Sequence, residues 1–191
     1  MGNLGFEFVR DAEMLANHHH RNQPYGIFPY MKHIYDVVGV FDKAWIDTYM
    51  ESNANLPKLQ RGEPGLMTFN ELIISCYLHD CVEDGYLSYN DIKTHFNKDV
   101  AEAVFCVTDG DGRNRKERKR PDRTRSNQNA RIVKLCDRTA NVRNSKRLMK
   151  DKFVMYEGEH VDFKQSISVA EELQTQLEKN LWKQLDLILT T

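Results

Sequence analysis

The chain has 191 residues, room for one domain with a sizeable core but too few for two independent ones. Its 27 Lys and Arg nearly balance 28 Asp and Glu, so overall charge selects neither nucleic acid nor an anionic membrane, and only local charge is informative. The start, Met1 to Phe6, meets charge at Glu7 and Arg10 without the pattern of a secretory signal, and no long apolar span follows. A soluble, cytoplasmic protein is expected. Cys76, Cys81, Cys106 and Cys136 sit inside apolar segments without zinc-type spacing, so reduced core residues are expected rather than disulfides or ligands.

In chain order, Phe6 to about His20 reads as an amphipathic helix with Phe6, Val9, Ala12, Met14 and Ala16 as apolar contacts. It runs into His18-His19-His20, of which at least two are expected simply to form a polar helix end. Asn22 to Pro29, with two prolines and Gly26, is turn-prone and leads to a second helix. There His33, Val37 and Phe41 recur at i, i+4 and i+8, a stripe widened by Ile34 and Val38. Residues 51–67 read as a loop, and Thr68-Phe69-Asn70-Glu71 has the form of a capping box.

The helix opened by that box carries Leu72, Ile73, Ile74 and Leu78, then His79-Asp80-Cys81-Val82-Glu83-Asp84, and Gly85 is expected to end it. On one continuous helix His79 and Glu83, and Asp80 and Asp84, are i,i+4 neighbours, so the four would share a polar face. Unpaired carboxylates beside an apolar core are costly, and a bound cation relieves that cost.

Ser88 to Asp91 opens a helix interrupted near Asn97, and the run Val100 to Val107 stops at Thr108-Asp109-Gly110. Between 113 and 125 lies the strongest local charge, with Arg113, Arg115, Lys116, Arg118, Lys119, Arg120, Arg123 and Arg125 against Glu117 and Asp122. Such a run is ordinarily solvated surface, and beside a catalytic site it becomes a cationic arm for phosphates. Asn129 to about Lys150 reads as a helix with Ile132, Cys136 and Thr139 inward and Lys134, Asp137, Asn141 and Asn144 on a polar side. After a less regular stretch around Gly158, Leu173, Leu177, Leu181 and Leu185 mark a last helix whose stripe suits packing within the domain or between subunits. No strand-period alternation or internal repeat stands out, and the expected class is all-α.

His33, the His79-Asp80 pair and Asp137 supply two imidazoles and two carboxylates from three helices. That nitrogen and oxygen set suits one divalent metal such as Mn²⁺ or Fe²⁺, with zinc also compatible, and leaves octahedral positions for water and substrate.

The order H…HD…D resembles the signature of HD-domain metal-dependent phosphohydrolases, and within them the hydrolase domain of RelA/SpoT proteins and the small alarmone hydrolases of metazoan SpoT-homologue type. The residues that carry the resemblance are Pro29-Tyr30-Met31-Lys32-His33, His79-Asp80-x-x-Glu83-Asp84, Val107-Thr108-Asp109 and Val133-Lys134-Leu135-Cys136-Asp137-Arg138-x-x-Asn141-x-Arg143. The resemblance implies a single HD domain over 1–191, its metal-site core at about 16–145 and C-terminal helices at about 146–191. It implies metal ligation by His33, His79, Asp80 and Asp137, orientation or deprotonation of the attacking water by Glu83 and Asp84, and substrate contact by Asn141. Tyr25, Lys134, Arg115, Arg118, Arg138 and Asn144 are the further candidates for substrate contact.

The implied activity is removal of the 3′-pyrophosphate of a (p)ppGpp-like alarmone with one Mn²⁺-like ion, as in stringent-response hydrolases. The partner would be a nucleotide polyphosphate, with no membrane and no nucleic acid. Where the family carries an Arg-Lys pair ahead of the first metal histidine, Pro24 and Tyr25 stand here, which brings adenine alarmones alongside guanine ones. Two rival readings are an HD-type nucleotidase releasing a 5′ phosphate and a catalytically silent nucleotide-binding module. A two-metal cyclic-nucleotide phosphodiesterase fits less well, since only His95 lies between the HD pair and Asp137.

Overall fold

A computed structural model of the chain describes residues 4–49, 63–110 and 118–191. The expected loop at 51–67 falls mostly outside the described residues, as do Arg113, Arg115 and Lys116. The architecture is helical: α1 Phe6–His20, α2 Met31–Tyr49, α3 Phe69–Leu78, α4 Tyr89–His95, α5 Lys98–Val107, α6 Pro121–Ser126, α7 Gln128–Leu148, α8 Lys150–Ile167 and α9 Gln176–Thr190. Between α1 and α2 a two-residue hairpin pairs β1, Pro24–Tyr25, with β2, Phe28–Pro29, around Gly26 at φ +62°. The all-α expectation is borne out, with this hairpin as the small addition that the turn signals at 22–29 concealed.

Helix α7 organises the rest because it packs against α2, α3, α5, α6, α8 and α9. Its composition explains the placement. Ala130, Ile132, Val133, Leu135, Cys136, Ala140 and Val142 are all buried around its circumference, so apolar neighbours are needed on several sides. The described neighbours answer with Ile34, Val37 and Phe41 of α2, Ile74 and Leu78 of α3, and Leu177, Leu181 and Leu185 of α9 in one continuous core. Polar caps define the starts: Thr68 and Glu71 form the anticipated capping box on α3, Ser88 and Asp91 do the same on α4, and Asn97 caps α5. All four cysteines are buried and free, as expected.

Several boundaries differ from the sequence reading. On α1 the buried line is Val9, Ala12, Ala16 and His20, while Phe6 and Met14 are exposed, because a 100° step puts Met14 on the far side from Ala12 and Ala16. Gly158 lies inside α8 rather than in an irregular stretch, its α-carbon facing open space. Leu173 is exposed in a 3₁₀ turn before α9, so the leucine stripe starts at Leu177.

The most consequential difference is the end of α3. The helix stops at Leu78 with His79 as its C-cap, not at Gly85. From there the backbone tightens: Cys81 N donates to Leu78 O, Gly85 N to Val82 O, and both Tyr86 N and Leu87 N to Cys81 O. Gly85, at φ +75°, closes this turn in the left-handed region that favours glycine. The carboxylates after His79 therefore fan out instead of sharing one helical face.

Candidate active site

Three of the four anticipated ligands converge within 4.8 Å: ring nitrogens of His33 and His79 and a carboxylate oxygen of Asp80. The fourth, Asp137, brings Oδ1 to 3.4 Å from His33 Nε2 and 3.9 Å from His79 Nε2. Helices α2 and α7 and the turn that leaves α3 at His79 thus deliver the cluster, with the two histidines almost fully buried. His33 reaches it because Val37 and Phe41 of the same stripe anchor α2 in the core.

The donor set fits a cation. His79 Nδ1 lies 2.8 Å from the Cys76 carbonyl, which only accepts, so Nδ1 donates and Nε2 is directed into the cluster. Among the described residues Nε2 finds no hydrogen-bond partner, although Asp80 Oδ2 lies 3.0 Å away. Two potential ligand atoms that close yet off the line of a hydrogen bond suit neighbouring positions around a cation.

The four side chains shift one another's pKa values. Burial alone would lower the pKa of His33, but Asp137 and Asp80 outweigh it and raise it to about 9. His79 is raised by Asp80 and Asp137 against the same burial penalty. Burial works against both carboxylates, but His79 and His33 pull Asp80 well below its usual range, and His33 and Lys134 bring Asp137 down to about 2.

Above the cluster opens a cavity of about 260 Å³. Of the anticipated residues, Tyr25, His33, Asp80, Glu83, Lys134, Asp137, Arg138 and Asn141 line it. Glu83 Oε2 accepts from the Asp109 backbone N–H at 3.2 Å, and burial raises its pKa more than that bond lowers it. Lys134 keeps its charge despite burial, chiefly through Asp137, whose Oδ2 is 3.7 Å from Nζ. Asn141 Nδ2 donates to Asp137 Oδ1 at 2.5 Å, and Tyr25 Oη donates to Asn141 Oδ1 at 2.8 Å.

Other candidates are placed elsewhere. Asp84 turns away from the cavity, accepting from Gln23 Nε2 at 3.1 Å with His20 Nδ1 3.5 Å away. That follows from the early end of α3. Asn144 sits behind the cavity, donating to Asp36 Oδ2 at 2.7 Å. Arg138 is at the wall but buried, donating to Glu159 and the Tyr156 carbonyl with its guanidinium over the Tyr156 and Phe163 rings. Arg118 is exposed and does not line the cavity, and Arg115 lies outside the described residues.

The sequence reading did not single out Lys119, Arg120, Pro121 and Thr124 individually, or Tyr156, Phe163, Ser166 and Ile167 of α8, as cavity wall. The basic run was noticed as a whole, but which of its members face the cavity depends on α6. Nothing in the motifs pointed to α8. Tyr30 was quoted only as part of a motif, yet it lines the cavity and donates to Asp80 Oδ2 at 2.5 Å.

Comparison with known proteins defines the fold first. Over 97% of this chain and 98% of the other, at a TM-score of 0.66 and 20% identity, the structure superposes on that of a metazoan ortholog of SpoT that hydrolyses ppGpp and plays a role in starvation responses. The chain therefore has the all-helical HD-domain fold. No family model matches it. At the level of sequence it is 36% identical over 86 residues to the guanosine-3′,5′-bis(diphosphate) 3′-pyrophosphohydrolase MESH1 of Xenopus tropicalis. It is 34% identical over 80 residues to that of Drosophila melanogaster. These matches take in 44% and 40% of this chain, and the chain spans about half the length of the curated relatives it matches, 48% and 45%. The resemblance to the HD-type alarmone hydrolases is borne out. No helix among the described residues is long and apolar enough to cross a membrane.

Proposed function

We propose that the protein is a cytoplasmic nucleotide 3′-pyrophosphohydrolase, a single HD domain that removes the 3′-pyrophosphate of a (p)ppGpp-like alarmone with one Mn²⁺ ion. The observation that carries this reading is the buried donor cluster of His33, His79, Asp80 and Asp137, with the raised carboxyl of Glu83 at the same cavity. The names of the two curated relatives support the choice of substrate.

His33, His79, Asp80 and Asp137 would hold the cation. When bound, such an ion lowers the pKa of water and polarises a phosphoryl oxygen. Glu83 then takes a proton from the attacking water, a role suited to a carboxyl whose pKa lies above the usual range. The water oxygen bonds to the 3′-bound phosphorus, the bond from phosphorus to the ribose 3′ oxygen breaks, and that oxygen receives a proton. Lys134 and the Lys119-Arg120 corner of the cavity bring positive charge to the phosphates. Asn141 has one amide hydrogen engaged with Asp137, leaving the second for a substrate oxygen. Tyr25 is stacked on His33, with ring centroids 5.0 Å apart and planes 25° off parallel, in place of the family's basic pair. Guanine and adenine are therefore both to be tested as the base.

The test is hydrolysis of ppGpp, ppApp, GDP, ADP and deoxynucleoside monophosphates with Mn²⁺, products being separated by ion exchange. Pyrophosphate release from either alarmone is the expected result. Release of phosphate from the 5′ position alone would replace the reading with a nucleotidase, and no turnover with metal bound would replace it with a silent nucleotide-binding module.

A further inference from the structure

The third histidine of His18-His19-His20 is not a solvated helix end. His20 is fully buried, its Nδ1 lies 2.7 Å from Gln23 Oε1, and its Nε2 is 3.6 Å from Cys81 Sγ. Its ring stacks on Tyr30, centroids 4.7 Å apart and planes 26° off parallel. Tyr30 is fixed in other ways too. Its backbone N–H donates to Gln23 O at the base of the hairpin, its carbonyl accepts from His33 N, and its ring meets that of His33 edge-on at 5.5 Å. Its hydroxyl donates to Asp80 Oδ2 at 2.5 Å.

That oxygen also lies 3.0 Å from His79 Nε2 and 3.6 Å from His33 Nε2. A carboxylate on a turn after a helix end would otherwise choose among rotamers, and the choice decides whether it belongs to the donor cluster. Groups that hydrogen-bond a metal ligand hold it in its ligating orientation, and losing one typically costs about 10- to 100-fold in metal affinity. We infer that Tyr30, braced by His20, is a positioning residue that holds Asp80 in the donor cluster and so sets the affinity of the site for a divalent cation. The inference rests on the metal reading of the cluster and not on the identity of the substrate.

The experiment titrates the chelator-stripped protein with Mn²⁺ alone, free Mn²⁺ being read by electron paramagnetic resonance, with far-ultraviolet circular dichroism confirming the fold. Tyr30→Phe keeps the ring on His20 and removes only the hydroxyl, and it is expected to weaken Mn²⁺ binding about 10-fold or more, with turnover largely recovered at saturating Mn²⁺. Tyr35→Phe, which removes a hydroxyl bonded to Glu13 on the surface, is expected to bind Mn²⁺ as the parent does. His20→Asn removes the ring beneath Tyr30 and is expected to shift affinity in the same direction, by about threefold or more, which keeps the inference testable should Tyr30→Phe not fold. Parent-like Mn²⁺ affinity in either folded variant overturns the inference. A parent protein that takes up no Mn²⁺ overturns it together with the metal site, whereas a parent that binds Mn²⁺ but leaves alarmones intact sinks only the proposed substrate.

Discussion

Tyr25 Oη and Asn141 Oδ1 meet at 2.8 Å, joining the hairpin to the middle of α7 across 116 positions of sequence. The contact fixes which way the Asn141 amide faces. Asp137 only accepts, so the amide nitrogen must be on its side, and the amide oxygen is left for the tyrosine hydroxyl. Tyr25→Phe would keep the stack on His33 and free the amide. One neutral hydrogen bond is worth about 0.5–1.5 kcal/mol, so kcat/KM for the alarmone should fall roughly 2- to 13-fold. Mn²⁺ affinity should change less than in Tyr30→Phe. A steady-state assay showing no loss would remove Tyr25 from the site.

The ligands and the water-activating carboxylate should separate cleanly on mutation. Asp80→Ala or Asp137→Ala leaves buried imidazoles without a partner, and both metal uptake and turnover are expected to vanish. Glu83→Ala should keep Mn²⁺ binding while turnover falls by about 10²- to 10⁴-fold, the usual reach of general acid–base catalysis. Calorimetric Mn²⁺ titration beside single-turnover hydrolysis distinguishes the two patterns. Retained activity in either Asp variant would overturn the ligand assignment.

The helical class and the donor set were legible because they rest on local signals. The capping residues Thr68, Ser88 and Asn97 and the 3.6-residue stripes of α2, α7 and α9 are written into short windows of sequence. What escaped was decided by distant contacts. Nothing between His79 and Gly85 marks the helix end at Leu78, where Asp84 is drawn aside by His20 and Gln23 of the α1 end. Arg138 has the sequence position of a substrate contact, yet Glu159 and the aromatic rings of α8 claim its guanidinium. The α8 wall of the cavity has no motif at all, since Tyr156, Phe163 and Ile167 are ordinary residues of a helix that happens to close one side.

The C-terminal helix should be held by one ion pair more than by any other polar contact. Glu178 of α9 is fully buried and accepts from Arg131 Nε and Nη2 at 2.8 and 3.1 Å, while Arg131 Nη1 donates to the Arg125 carbonyl at the end of α6. Breaking a buried pair strands the other charge, which typically costs about 3–5 kcal/mol. Glu178→Ala should therefore lower the urea midpoint sharply with its slope unchanged. The double variant Glu178→Leu with Arg131→Met should recover part of the loss. A surface-like loss below about 1 kcal/mol would show that water reaches the pair.

Stability of the chelator-treated protein should depend on pH in a way that reports on the donor cluster. Burial would lower the pKa of His33, but Asp137 and Asp80 raise it to about 9, against about 6.5 for an unfolded histidine. Below about pH 6.5 both states hold the proton and this contribution is fully present. As pH rises toward 9 the unfolded chain gives up the proton first, and the stability is lost, amounting to about 3 kcal/mol at most. Asp137, depressed to about 2, behaves in the opposite sense: its contribution is present above about pH 4 and disappears as pH falls through about 2. The alkaline decline should be smaller in His33→Gln, where His79, also raised by Asp80 and Asp137, still contributes. It should also be suppressed by saturating Mn²⁺, because the ion displaces the proton and binds more tightly as pH rises. Urea midpoints at pH 6, 7.5 and 9, with and without Mn²⁺, test this, and a flat profile without metal would mean that His33 does not carry the proton that joins the two carboxylates.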